Sequence, residues 1–103
     1  MGDVIHRAVI VTSHDRETVM QCYAKAFKLM PQQVTGVLQA PVNTYYSFAV
    51  LPCGIKTGWS ADQMSKSALA ELFLFMTNMS SPPRWVEVEY PYFSGESKVV
   101  SEG

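Results

Sequence analysis

The chain has 103 residues, 48% of them hydrophobic and 17% charged, with a formal net charge of -1. That length suits a single domain, and near-neutrality excludes the positive field that draws proteins onto phosphate backbones or anionic membranes. Charge this sparse, against roughly a quarter in ordinary soluble domains, leaves apolar surface for a partner to cover.

Val4 to Thr12 is dense in β-branched residues and apolar at every position from Ala8 to Val11, which predicts a strand buried on both faces. Thr12, Ser13 and Asp15 then offer N-caps. A helix follows, with Val19, Met20, Tyr23, Ala26, Phe27 and Met30 at three- and four-residue spacing, and Pro31 ends it. Gln33 to Ala40 and Thr44 to Leu51 read as a hairpin turning at Pro41, Val42 and Asn43. Ser60 and Gln63 have capping-box spacing, so a second helix starts near Ala61, with an apolar stripe of Met64, Ala68, Leu72, Phe75, Met76 and Met79 widened by Leu69 and Phe73. Pro82 and Pro83 break it. Arg84 to Tyr90 alternates, with Val86, Val88 and Tyr90 on one face and Trp85, Glu87 and Glu89 on the other. That second face is expected to be the wet outer one, where Arg7 pairs with a carboxylate across strands.

The order βαββαβ predicts an α+β, ferredoxin-like sandwich: a four-stranded antiparallel sheet in the order 4-1-3-2, with two helices on one face. Residues 1–93 form the domain and 94–103 a flexible C-terminal tail. Cys22 and Cys53 lack C-x-x-C spacing and read as reduced thiols, and with two histidines they give no metal-ligand pattern. No cofactor or metal is expected. No basic-then-apolar leader opens the chain, and the apolar run from Ala68 to Met79 falls short of the ~20 residues that cross a bilayer. A cytoplasmic protein without membrane contact is expected.

Both central strands carry apolar residues on both faces, so the face the helices leave open is expected to be covered in a homodimer, through Val9, Val11, Tyr46 and Phe48. Tyr46 and Phe48 also have the spacing of base-stacking aromatics, which keeps a single-stranded nucleic-acid module as an alternative; packing is preferred because the first strand has no aromatic partner for them. Lys56 and Trp59, after Cys53 and Gly54, form a loop pole suited to an interaction hot spot or to capping the core. The other pole gathers His14, Asp15, Asn43, Ser81 and Arg84; His14 and Asp15 beside a serine invite a hydrolase reading, against the simpler one of a helix cap. A further alternative is a small dimeric α+β-barrel enzyme, similar in build to cofactor-free monooxygenases, with His6 or Tyr46 lining a cavity between sheet and helices.

Three segments carry a resemblance: Asn43 to Phe48, Gly54 to Trp59 and Ser80 to Tyr90. Together they resemble small uncharacterised proteins of tailed bacteriophages and prophages. The chain departs from that pattern after Gly58-Trp59, where Ser60 to Met79 carries only Asp62, Lys66 and Glu71 as charges. The resemblance implies a phage accessory protein of unknown activity and assigns no catalytic residue. With the apolar sheet face, the expected function is that of a small non-enzymatic protein that self-associates and acts by binding another macromolecule, a host or phage protein.

Overall fold

The computed structural model describes residues 5–54, 60–92 and 95–103. Strand β1 (Ile5–Ser13) leads into helix α1 (Arg16–Leu29), then β2 (Leu38–Gln39), β3 (Tyr46–Val50), helix α2 (Ser60–Thr77), β4 (Arg84–Pro91) and β5 (Lys98–Glu102). The hydrogen-bonded order is β2-β3-β1-β4-β5, with every pairing antiparallel. The architecture is α+β, with five strands rather than the expected four.

Local chemistry explains the element ends. Asp15 caps α1: one carboxylate oxygen accepts the Glu17 amide at 3.2 Å and the other the Thr18 hydroxyl at 2.8 Å. At the other end the ring of Pro31 disfavours helical geometry at the preceding residue, and Met30 sits at φ -142° and ψ 63°. The hairpin turns on Asn43 and Thr44, at φ 68° and 50°, one residue beyond the expected turn. Such angles are uncommon for a β-branched residue, and a hydrogen bond of 2.7 Å from the Ala40 amide to the Tyr45 carbonyl closes the loop around them.

Residues 98–102, expected to fray, instead pair with β4 through a register shift between Glu87 and Val88. Beyond the strand, Gly103 exchanges both backbone hydrogen bonds with Trp85, at 2.9 and 3.0 Å. A Cβ at Gly103 would collide with the Trp85 indole, so no side chain fits there. The segment continues the sheet because β4 would otherwise leave a row of unpaired amides and carbonyls at its edge.

One core lies between the sheet and the two helices. It contains Val9 and Val11 of β1, Phe48 and Val50 of β3, Val19, Cys22 and Ala26 of α1, Met30, and Leu69, Leu72 and Met76 of α2. Each fully buried aliphatic side chain here contributes roughly 1.5–3 kcal/mol by leaving water. Among the described residues, α1 brings Cα atoms within 8 Å of β1 and β3, whereas α2 reaches no strand at that distance. It bridges the gap with large side chains: Phe73 stacks on Trp85 with ring centroids 4.3 Å apart and planes 3° from parallel.

This packing reverses the expected assignment of faces. Cross-strand partners share a face, and Val9 pairs with Glu87, Val11 with Trp85 and Arg7 with Glu89. Trp85, Glu87 and Glu89 therefore point toward α2, and Ala8, Ile10, Val86 and Val88 lie on the helix-free face. β1 is buried on one face only, since Val9 and Val11 are inaccessible while Ile10 is 48% exposed. The helices pack on the face whose β3 residues, Phe48 and Val50, bury the most, leaving the smaller Ala49 and Ser47 outside.

Candidate functional sites

Two regions are not explained by packing alone. The first is the helix-free face. Its central rows are Ala49, Ile10 and Val86, then Ala8, Val88 and Val99, set side by side by the strand registers. Leu38 lies beside Ser47 at the β2 edge and is 73% exposed, while Leu51 and Val99 are about half exposed or more. Polar groups border these rows: Glu102 lies beside Val86 at the β5 edge, Thr12 and Ser47 hydrogen-bond to each other at 2.8 Å, and His6 meets Tyr90 and Tyr92 with ring centroids 5.2 and 5.9 Å apart. Nδ1 of His6 is buried without a hydrogen-bond partner.

The second region is a charged cleft beneath α2, with a volume of 370 Å³. Arg7, Glu87, Glu89 and Val100 form its sheet side, and Lys66, Leu69, Ala70 and Phe73 its helix side. Arg7 Nε lies 3.3 Å from one Glu89 carboxylate oxygen, and Lys98 Nζ lies 3.8 Å from the other. Glu87 is only 8% exposed and accepts a hydrogen bond of 2.9 Å from the Ser101 hydroxyl. The expected pairing of Arg7 with a β4 carboxylate is present, but on the covered face, where water competes less for both charges.

The residues singled out from the sequence fall elsewhere. Val9, Val11 and Phe48 are core residues beneath the helices and cannot form an open interaction face, Phe48 being 3% exposed. Its ring meets Tyr23 edge-on, with centroids 5.9 Å apart. Tyr46 is half-buried on that same side, lining a 310 Å³ pocket with Arg16, Met20, Tyr23, Val37 and Gln39. Neither aromatic is presented for base stacking. His6 lies on the opposite face from Tyr46, so the two do not share a cavity.

At the polar pole, Asp15 is committed to capping α1, and His14 packs edge-on against Tyr45 at 6.1 Å. Among the described residues no hydrogen bond or ion pair joins His14, Asp15, Asn43 and Arg84 to one another. Lys56 and Trp59 lie outside the described residues.

Both cysteines are free thiols. Burial pushes the Cys22 thiol up to about 11, against a smaller lowering by a backbone hydrogen bond, so it is an inert packing group that donates to the Met79 sulfur at 3.5 Å. Among the described residues, no group of three or more His, Cys, Asp or Glu could hold a metal ion, and no helix is long and apolar enough to cross a membrane. No family model matches the chain, and neither a curated protein nor a solved structure is found that resembles it.

The sequence contained the charged cleft as Arg7, Lys66, Glu87 and Glu89. The signal that could have found it was the combination of Arg7 in an otherwise apolar strand with two acids at alternate positions of β4, once both are placed on one face.

Proposed function

We propose that this chain is a self-associating binding protein, in which two copies pack sheet to sheet through the helix-free face. The observation that carries the reading is the apolar surface formed by Ile10, Ala49, Val86, Val88 and Val99, bordered by Glu102 at the β5 edge, which no helix among the described residues covers. Burial at about 25 cal/mol per Å² makes covering even a few hundred Å² favourable. The strand order and the placement of both helices on one face support a ferredoxin-like sandwich with β5 added at the β4 edge. In this reading the protein is non-enzymatic, serves as a phage or prophage accessory factor, and engages a protein partner with surfaces left outside the dimer.

The test is solution mass by size-exclusion chromatography with light scattering, at tens of micromolar protein. A dimer is expected, and Ile10→Lys is expected to yield a folded monomer, because a charge at the centre of the interface would be desolvated without a partner. A wild-type monomer at that concentration defeats the self-association reading. So does a folded Ile10→Lys protein that remains dimeric.

A further inference from the structure

We propose that the cleft between α2 and the β1–β4–β5 part of the sheet binds a small zwitterion, of the class of α-amino acids with an aliphatic side chain. Three observations lead there. The cleft is an open groove of 370 Å³, at the low end of the range of small-molecule sites, where α2 stands off from the strands. Its lining holds both signs of charge at close quarters: Glu87 and Glu89 side by side on β4, Arg7 from β1 and Lys66 from α2. Between them lies apolar surface from Leu69, Phe73 and Val100.

Packing does not require this chemistry. Glu87 is almost fully buried, and well-packed apolar residues of similar size generally stabilise a site at least as well as a buried charge network. Apolar residues at these positions would also close the cleft. Held open instead, it selects against simple ions: a plain anion meets the two carboxylates, and a plain cation meets Arg7 and Lys66. A zwitterion adds its ammonium to Glu87 and Glu89 and its carboxylate to Arg7 and Lys66, sharing these groups with the partners they already hold, Ser101 on Glu87 and Arg7 and Lys98 on Glu89. An aliphatic side chain then rests on Phe73 and Val100, burying surface that is otherwise wet.

The experiment is a titration of the full 15N-labelled chain with L-leucine, followed by amide shifts. Two controls each lack one charge: 4-methylpentanoate has no ammonium and leucinamide no carboxylate. Saturable shifts are expected at Phe73, Glu87 and Val100, with a dissociation constant on the order of 1 mM, and at least tenfold weaker binding of each control. Glu87→Gln and Lys66→Met are each expected to weaken L-leucine tenfold or more. Should Glu87→Gln fail to fold, Lys66→Met decides, since it keeps an apolar stem of similar length. The proposal is overturned by an absence of localised shifts at ~20 mM L-leucine, well above the expected constant. It is equally overturned by a control that binds as tightly as L-leucine, or by folded variants that bind it as the unaltered chain does.

Discussion

Beneath α1 the sheet is dry: Val9, Val11, Phe48 and Val50 meet Val19, Cys22 and Ala26, with nothing charged between them. Beneath α2, toward β4 and β5, the same layer holds Arg7, Glu87 and Glu89 around a cleft. The difference follows from how closely each helix approaches: among the described residues α1 brings Cα atoms within 8 Å of β1 and β3, whereas α2 reaches no strand at that distance, so the margin beneath it stays thinly covered. The chain centres its apolar residues under the closer helix and places at the margin side chains that keep partners when water enters.

The strongest way to probe the contrast is to open the dry half. Phe48→Ala removes a buried ring and its edge-on contact with Tyr23, and is expected to cost about 4 kcal/mol. Urea unfolding should show the midpoint falling with little change in slope, and a loss under about 1 kcal/mol would mean that this half is loosely packed. Cys22 probes its dryness. Its thiol titrates at about 11 in the folded protein against an ordinary value of 9.0, so the unfolded chain releases the proton first. Stability from this group is therefore complete below pH 9 and declines as pH rises toward 11, by on the order of 2 kcal/mol. Comparing the chain with Cys22→Ala across that window isolates the effect. A parallel decline in both proteins would mean that the thiol is not desolvated.

The charged half should answer more weakly. A double-mutant cycle on Arg7→Ala and Glu89→Ala is expected to give a coupling of about 1 kcal/mol, above an exposed pair because both side chains are mostly shielded, yet softened by Lys98 at the same carboxylate. Coupling below about 0.3 kcal/mol would place the pair effectively in water.

These halves were unequally legible in the sequence. The bounds of α1 could be read because Asp15 and Pro31 act locally, through a cap and a ring. The alternation of β4 was plain as well. Which of its faces turned inward was not, because β1 is apolar at every position from Ala8 to Val11 and its period of two carries no sidedness. With that choice inverted, Glu87 and Glu89 were placed in solvent and Val9, Val11, Tyr46 and Phe48 on the open face. β5 is not legible in the sequence because only Val99 and Val100 in it are β-branched, among Lys98, Ser101 and Glu102. What holds it is the edge of β4, which a local pattern cannot show.

The smallest expected effect separates a structural role for the charged margin from a binding one. Glu87→Met keeps the length of the side chain and removes the charge, leaving the Ser101 hydroxyl free to turn to water at the β5 edge. If the carboxylate is present for a ligand, its removal should change stability by no more than about 1 kcal/mol in either direction, since apolar replacement offsets the lost hydrogen bond. Thermal unfolding without added ligand measures this directly. A loss above about 2 kcal/mol would instead show that Glu87 fastens β5 to the sheet, because only a bond the fold depends on costs that much when shape is conserved. In that event the contrast beneath the two helices would be one of fastening rather than of binding, dry packing under α1 and an ionic clasp under α2.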